Sequence, residues 1–255
     1  LEEGHRHAPY QIATQASADG TNFVLSGKKT FVLDGHVAGT LIVAARTSGE
    51  NNSRDGISLF LVDSAAPGVS VLRTKMADAR NAANIEFAEV TVGADSVLGE
   101  LGHGAAVLDA GLDIARIGLS AEMLGATQEC FERTVSYLKE RKQFGVAIGS
   151  FQALKHRAVN TFCEIELSKS CVLEALTALD EGRDAEEVAK LASLTKAKVG
   201  ETFNLVSREG IQMHGGIGMT DEFDIGFFIK RAAVCEQTFG DVNYHRNRYG
   251  ELEGY

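Results

Sequence analysis

Several features that mark common protein classes are scarce or missing in this chain. Of its 255 residues only Pro9 and Pro67 are prolines, so long helices are permitted over most of the length. No apolar run approaches the roughly 20 residues that a membrane-spanning helix needs, which argues against a membrane span. No signal-peptide pattern opens the sequence.

Basic residues are also in short supply. Lys and Arg number 25 against 35 Asp and Glu, which gives a formal net charge of −10. A broad basic surface for nucleic acid is therefore not expected, although local cations could still hold a small anionic ligand. With 44% hydrophobic and 24% charged residues the composition is that of a globular protein, either one large domain or two small ones.

The cysteine pattern argues against a metal site. None of the four cysteines forms a CxxC pair, and the spacing does not suit zinc. We therefore expect four buried thiols in a reducing cytoplasm and no bound metal. These cysteines are Cys130, Cys163, Cys171 and Cys235.

The first 100 residues alternate short β-type runs with turn signals, and no helical pattern interrupts them. Val, Ile, Phe and Thr dominate the runs, and this regular spacing is typical of an antiparallel barrel or sandwich. We assign residues 1–100 to this β-domain. The predicted strands are Asn22–Leu25, Thr30–Leu33, Thr40–Arg46, Ile57–Val62, Val69–Thr74 and Asn84–Val92.

From residue 101 onward the apolar period becomes helical. Ser150 is a candidate N-cap for a second helix, and Asp184 with Glu187 resembles a capping box that opens a third. A fourth helix is predicted from Asp224 to about Tyr249. Four long helices with short links predict a four-helix bundle over 101–255, so the fold class is α+β with two domains.

The segment Glu140–Gly145 closes the first long helix and carries an unusual set of side chains. A cation that complements the helix dipole accounts for Lys142. It does not account for Arg141, Gln143 and Phe144 together. These offer a guanidinium for phosphate, an amide for a polar edge and a ring for stacking.

A second segment, Gln212–Gly218, holds a cluster of glycines. The simplest interpretation is a helix C-cap followed by a turn. No β-strand precedes the cluster, so it is not a dinucleotide fingerprint of the Rossmann type. Backbone without side chains would let a flat or anionic ligand approach closely.

Together these segments resemble the Arg-x-x-Phe-Gly and Gln-x-x-Gly-Gly-x-Gly signatures of the acyl-CoA dehydrogenase family. Residues 87–104 also resemble that family's passage from β-domain to helices. The resemblance implies FAD as cofactor, an acyl-CoA substrate that loses two hydrogens, and an electron-transfer flavoprotein as acceptor. It implies a middle β-domain and a C-terminal bundle; the family's N-terminal helical domain is not in this sequence.

The resemblance weakens at the catalytic base. One family position for the catalytic Glu corresponds to Phe239, before Gly240, and the other to Ala115, before Arg116. Neither side chain accepts a proton. Asp241 is the nearest acidic substitute, although a capping Asp is the alternative. Glu236 is a further candidate, with a helix-surface charge as its alternative.

The predicted flavin-facing segments differ from the family as well. Residues 1–9 stand where the family has a hydroxyl-rich loop, and they add charge instead. Phe31 keeps an aromatic ring at a family Trp-type position, whereas Leu33 stands where a hydroxyl often donates to the flavin. The groups for the chain's own flavin ring are therefore degraded.

The helical signatures are better preserved. In the family such residues reach across a dimer and hold the adenylate half of the neighbouring subunit's FAD. Asp113 and Arg116 match positions near the acyl-CoA, or form an intrahelical ion pair. The residues assigned to the neighbour's FAD are Arg141, Gln143, Phe144, Gln152, Gln212, Gly215 and Gly216.

Three functional hypotheses follow. The first is a dehydrogenase-family subunit that lacks its own base and completes the FAD site of a related partner. The second is a complete enzyme in which Asp241 is a relocated base. The third is a non-redox scaffold that binds acyl-CoA. All three predict association into a homo- or hetero-oligomer.

Overall fold

The computed structural model describes residues 1–4 and 6–255, and the chain divides into two compact units, 1–111 and 112–255. The division falls inside a helix that begins at Gly104. The domain boundary at residue 100 stays a prediction.

The described part of the first unit forms a seven-stranded sheet in the order β5-β6-β2-β1-β3-β4-β7. Neighbouring strands are antiparallel except β1 and β3, which make one short parallel pairing. The region predicted to be an antiparallel barrel or sandwich is therefore a β-domain with one mixed sheet. The strands are β1 (Gln15–Asp19), β2 (Asn22–Leu33), β3 (Thr40–Arg46), β4 (Ile57–Asp63), β5 (Val69–Lys75), β6 (Asn81–Gly93) and β7 (Val97–Leu98).

Alternating burial builds the core of this sheet. Leu25, Phe60 and Ile85 lie on the inner face with almost no exposure, because successive residues of a strand point to opposite faces. The sequence pattern missed β1, whose residues include no β-branched or aromatic side chain. It also divided β2 at Gly27, a residue that β2 needs, since a Cβ there would lie 2.5 Å from Thr14 Oγ1.

The second unit is helical, and α1 enters it from the first. Between α1 and α2 lies a small hairpin of β8 (Lys142–Gln143) and β9 (Val146–Ala147). Short 3₁₀ turns at Ile148–Ser150 and Gly215–Met219 join the longer elements. The helices of this described region are α1 (Gly104–Glu140), α2 (Gln152–Asp180), α3 (Ala185–His214), α4 (Ile225–Gln237) and α5 (Val242–Leu252).

Apolar stripes of these helices meet in a common interior. Phe203 of α3 is fully buried and belongs to a cluster with Met123 of α1 and Val172 of α2. A neighbouring cluster contains Ile165 and Ile225. The helical domain after the sheet is therefore confirmed. In the described residues, no helix combines the length and apolarity that crossing a membrane requires.

Two predictions of helix ends are corrected. Ser150 does not cap α2, because its hydroxyl donates to the carbonyl of Ala147 at 2.7 Å and Phe151 is the N-cap residue. The helix predicted from Asp224 to Tyr249 is interrupted, since α4 ends at Gln237, α5 begins at Val242, and Phe239 between them has a φ of +59°. The cap at Asp184 is confirmed, since its carboxylate accepts the Glu187 N–H at 2.9 Å.

The expectation of four buried thiols is wrong for two of them. Cys130 and Cys235 are buried, and burial raises the pKa of Cys130 to about 12. Cys163 is exposed and Cys171 is half-buried. Both lie on α2, where only a narrow stripe of residues packs inward. Helical periodicity places Cys163 on the solvent side of the helix and Cys171 at the edge of the buried stripe.

Candidate functional site

The first motif forms a projecting hairpin. Gln143 of β8 pairs with Val146 of β9, which leaves Phe144 and Gly145 as a two-residue turn. Their φ angles are +55° and +81°, as a type I′ hairpin turn requires. Phe144 is 91% exposed, and its ring meets that of Phe151 edge-on with centroids 6.0 Å apart. The turn thus presents an aromatic ring to solvent on a defined backbone.

The polar residues of this motif are equally accessible. The Arg141 backbone is fixed, because its N–H donates to Tyr137 O at 2.9 Å and its carbonyl accepts the Ile148 N–H at 2.8 Å. Its guanidinium makes no ion pair with any described residue. Gln143 Nε2 donates only to the carbonyl of Lys142, at 2.8 Å. A fixed backbone carrying uncommitted polar groups suits ligand binding.

The second motif begins where α3 ends. Gly215 has a φ of +67°, and its N–H donates to the carbonyl of Gln212 as a helix C-cap. Gly216 is different, because its φ is not in the left-handed region and a Cβ there would meet no atom within 4 Å. The fold of this chain does not require a glycine at 216. An open backbone surface of this kind can receive a flat or anionic group.

The structure brings the two motifs together through Tyr137 and His214. Their rings stack with centroids 4.3 Å apart, and the Tyr137 hydroxyl donates to the His214 carbonyl at 3.3 Å. Tyr137 lies one helical turn before Arg141, and His214 directly precedes Gly215. The sequence analysis missed both rings, although the helical spacing between Tyr137 and Arg141 was a usable signal.

Phe239, at one predicted base position, stands on a rigid turn in the same unit. Its carbonyl accepts hydrogen bonds from Arg116 Nε at 3.2 Å and His245 Nε2 at 3.0 Å. The carbonyl of Gly240 accepts from Lys196 Nζ at 3.0 Å. Gly240 has a φ of +109°, and a Cβ there would lie 2.4 Å from the Tyr244 ring. Donors from three helices therefore fix this backbone.

Lys196 is an unusual member of that set because it is only 1% exposed. It also donates to the carbonyl of Glu236 at 3.2 Å, so it caps the end of α4. Burial lowers the pKa of its ammonium to about 8. Sequence reasoning missed Lys196 and His245. A polar residue at a position where the helical period predicts burial was the signal that could have identified them.

Asp113 and Arg116 are buried together and bound to each other, with Arg116 Nη1 2.8 Å from Asp113 Oδ1. Arg248 of α5 joins them, since its two terminal nitrogens lie 2.8 Å from the two oxygens of Asp113. Arg248 also donates to Ser193 Oγ at 2.9 Å. Their positions agree with the intrahelical-pair alternative, extended by a second arginine that the sequence analysis missed.

Both acidic substitutes for the base have structural partners. Asp241 is the N-cap of α5, and its Oδ1 accepts the Tyr244 N–H at 2.8 Å. Glu236 Oε2 accepts from Asn204 Nδ2 at 2.7 Å. Ala115, at the other predicted base position, is half-buried on α1.

In the first unit, Phe31 sits on a bulge of β2. The pairing register between β2 and β6 shifts between Lys29 and Val32, and Phe31 has a φ of +51°. The Phe31 N–H donates to Asn84 Oδ1 at 3.2 Å. Phe31 is 50% exposed and Leu33 is 47% exposed, so the bulge displays hydrocarbon.

The opening segment is held by its own acidic residues. Glu3 accepts the Thr14 hydroxyl at 2.6 Å and the Thr14 N–H at 3.0 Å, and it forms a buried ion pair with Lys29. Burial favours a higher pKa for Glu3, but the Lys29 charge and the hydrogen bonds outweigh it and lower that pKa. Glu2 binds the ring of His7. Within this segment His5 lies outside the described residues.

The chain thus combines a mixed-sheet unit with a helical unit that carries an arginine–aromatic hairpin and a diglycine turn. Residues 2–90 match the model of the acyl-CoA dehydrogenase middle domain, and residues 102–252 match that of the C-terminal domain. The chain therefore belongs to the acyl-CoA dehydrogenase family.

Named relatives agree with this assignment. A mitochondrial short/branched chain specific acyl-CoA dehydrogenase of Rattus norvegicus is 31% identical over 96% of this chain and 57% of its own length. The acyl-CoA dehydrogenase of Geobacillus kaustophilus superimposes with a TM-score of 0.94 at 25% identity, covering 100% of this chain and 67% of that one.

A steroid ACAD variant superimposes with a TM-score of 0.86 at 32% identity, covering 99% of this chain and 65% of that one. The chain thus spans about three-fifths of the length of the curated relatives it matches.

Proposed function

We propose that this chain is a subunit of a FAD-dependent acyl-CoA dehydrogenase that lacks its own catalytic base and completes the FAD site of a related, base-bearing partner. The observation that carries the proposal is an asymmetry. The groups assigned to a neighbour's cofactor are exposed and uncommitted, whereas the groups assigned to the chain's own flavin are replaced or already bound.

Seven residues are assigned to the cofactor of the neighbouring subunit. All of them are solvent-exposed, on a hairpin, on the first turn of α2 and at the end of α3. Arg141 offers an unpaired guanidinium for a diphosphate, Phe144 offers a ring for stacking, and Gly216 leaves space that the chain itself does not use. These residues fit the nucleotide part of FAD. The seven are Arg141, Gln143, Phe144, Gln152, Gln212, Gly215 and Gly216.

The residues of the first unit that are assigned to the chain's own flavin ring are less suited to bind it. The Thr14 hydroxyl is bound by Glu3, and the Thr30 hydroxyl is directed to the carbonyls of Glu2 and Gly4 at 3.4 and 3.3 Å. Leu33 presents hydrocarbon where the family resemblance implies a hydroxyl donor. A flavin ring at this segment would find few free donors in the described residues.

The base position supports the same conclusion. FAD, when bound, supplies the acceptor for the hydride that leaves the β-carbon of an acyl-CoA. The accompanying loss of the α-proton needs a nearby carboxylate. Phe239 occupies a turn fixed by Arg116, His245 and Lys196, so the backbone is positioned while the side chain cannot take a proton.

The proposal assigns this chain a positioning role in the assembly. Its helical unit would hold the nucleotide half of the partner's FAD, and the partner would bind the acyl-CoA and remove the proton. An electron-transfer flavoprotein is the acceptor that family membership suggests.

Reconstitution tests the proposal. The chain is purified alone and together with a base-bearing homologue, and flavin content and dye reduction by acyl-CoA are measured for each sample. We expect little flavin and no turnover from the isolated chain, and flavin with turnover from the mixture. Robust turnover by the isolated chain would contradict the proposal.

Two other functions are distinguished by the same samples. A complete enzyme with Asp241 as base would turn over alone, but the N-cap bond of Asp241 to the Tyr244 N–H favours a structural role for that carboxylate. A non-redox scaffold would show no flavin absorbance in any assembly.

A further inference from the structure

A cleft of about 370 Å³ opens between the C-terminal half of α1, the end of α3 and the start of α4. It contains none of the residues assigned to FAD. Tyr137, His214 and Phe223 form its aromatic part, and Glu140, Glu222 and Arg133 belong to its polar part. Aromatic and acidic groups are thus combined in one concave surface of the helical unit.

His214 is the key residue of this cleft because it is only 5% exposed and one ring nitrogen forms no hydrogen bond with the described residues. Its Nδ1 lies 2.7 Å from the carbonyl of Gly210. A carbonyl only accepts hydrogen bonds, so Nδ1 carries the proton. In the neutral ring Nε2 is then an acceptor, and it forms no hydrogen bond with any described residue. His214 lines the cleft, and its unpartnered Nε2 is not among the fully buried side-chain atoms that lack a partner, so this acceptor remains accessible.

Burial lowers the pKa of His214, and the bond to Gly210 opposes this only in part. The ring is therefore neutral at physiological pH. A neutral acceptor beside carboxylates selects a group that donates hydrogen bonds, and it does not select an anion.

The carboxylates of the cleft differ in how far they are neutralised. Arg133 is committed, since it pairs with Glu129 and with Asp224 at 2.7 and 3.0 Å. Glu222 makes no hydrogen bond or ion pair with the described residues, and Glu140 receives only a long hydrogen bond of 3.4 Å from Ser136. Two carboxylates at the cleft therefore lack a positive partner.

The rings complete the chemistry. Tyr137 stacks on His214, and Phe223 meets both edge-on with centroids 5.6 and 5.4 Å away. Aromatic surfaces attract cations, and a planar guanidinium stacks on them while donating to carboxylates in pairs. An ammonium would meet the charges but not the planar surface.

We infer that this cleft binds a guanidinium group, with His214 Nε2 and the carboxylates of Glu140 and Glu222 as acceptors and the rings of Tyr137 and Phe223 as its apolar wall. The group is either an arginine side chain of an associating chain or a free guanidinium compound. In the described residues no cluster of three or more His, Cys, Asp and Glu could hold a metal ion, so the cleft is not a metal site.

The test uses agmatine, a small guanidinium compound, and the full chain. Binding is followed by the imidazole resonances of His214 in NMR titrations and by tyrosine fluorescence, which is unmasked because the chain has no tryptophan. We expect saturable binding that shifts the His214 resonances. His214→Phe keeps the ring but removes the acceptor, and it should weaken binding by about tenfold or more.

Glu222→Gln is a second variant, chosen because an exposed carboxylate can be changed without disturbing the fold. It should weaken agmatine binding several-fold and leave the unfolding transition unchanged. His156→Phe is the matched control, because His156 is an exposed histidine of α2 remote in sequence from the cleft. It should bind agmatine as the parent chain does.

The assembly with the base-bearing partner distinguishes the two sources. If an arginine of the partner fills the cleft, agmatine will not bind the assembly, and His214→Phe and Glu222→Gln will weaken subunit association. If the ligand is free, agmatine will bind the assembly as it binds the isolated chain. The inference is overturned if neither variant changes agmatine binding or association, or if millimolar agmatine leaves the His214 resonances unmoved. Agmatine binding is measured on the isolated chain, so its outcome does not depend on whether the FAD proposal is correct.

Discussion

Arg248 and Asp113 form a two-pronged ion pair, in which each terminal nitrogen of the guanidinium lies 2.8 Å from a different carboxylate oxygen. The pair joins α5 to α1, although its members are 135 residues apart in sequence. Arg116 shares the same carboxylate. Asp113 is therefore saturated by arginines, which argues for a structural role in place of direct contact with a thioester.

This arrangement predicts a large loss of stability in Asp113→Asn. The change leaves the buried Arg116 and the half-buried Arg248 without their shared counter-charge, and removing one partner of a buried ion pair costs about 3–5 kcal/mol. Urea unfolding followed by circular dichroism measures the loss. Asp180→Asn, at an exposed position on α2, is the control and should change stability by less than about 0.5 kcal/mol. Equal stability of the two variants would remove Asp113 from this role.

Gly216 provides a test of the FAD proposal that is separate from folding. A methyl group at 216 meets no atom of the chain within 4 Å, so Gly216→Ala should fold normally. If the partner's FAD lies against this backbone, the methyl group should lower the flavin content of the reconstituted assembly by about tenfold.

Gly226→Ala is the matched control for that experiment. A Cβ at Gly226 also meets nothing within 4 Å, but the residue belongs to the first turn of α4 and not to the second motif. The assembly should retain its flavin with this variant. Flavin contents that are the same in both variants would show that the 216 backbone does not face the cofactor.

Substitutions of Asp241 distinguish a subunit that lacks a base from an enzyme in which Asp241 is the relocated base. Asn and Asp are about equally good N-caps, so Asp241→Asn should preserve stability, whereas Asp241→Ala should cost about 1 kcal/mol. The proposed function predicts that Asp241→Asn leaves turnover of the reconstituted assembly unchanged. Loss of turnover in a stable Asn variant would instead assign Asp241 the proton transfer.

The sequence predicted the parts of this molecule that depend on local patterns. The run from Thr40 to Arg46 is a short apolar run that contains three β-branched residues, and it is β3 with the predicted bounds. Asp184 caps α3 because capping needs only residues close in sequence.

What the sequence could not predict depends on distant contacts. Lys196 and His245 are polar residues on α3 and α5, and only the packed structure shows that they meet at the turn of Phe239 and Gly240. Arg248 likewise reaches Asp113 of α1 only through the packing of α5. The break at Phe239 was missed for the same reason. A non-glycine residue with positive φ is unfavourable locally and persists here because donors from other helices hold its carbonyl.

Lys196 also predicts a pH dependence of stability. Burial lowers its pKa from the ordinary value of 10.5 to about 8, so between these values the unfolded chain holds the proton more strongly than the folded chain. The free energy of unfolding should therefore gain up to about 1.4 kcal/mol per pH unit from this group as the pH rises through that range. In Lys196→Met this contribution is absent, and the variant should show a smaller rise.

Urea unfolding from about pH 7 to about pH 10 measures the difference between parent and variant. The comparison matters because Cys130 acts in the opposite sense: burial raises its pKa to about 12, so stability falls as the unfolded thiol ionises at lower pH. That effect is common to both proteins and cancels in the difference. Lys155→Met, at an exposed site, should keep the slope of the parent. A Lys196→Met slope equal to that of the parent would mean that this ammonium is not desolvated in the folded chain.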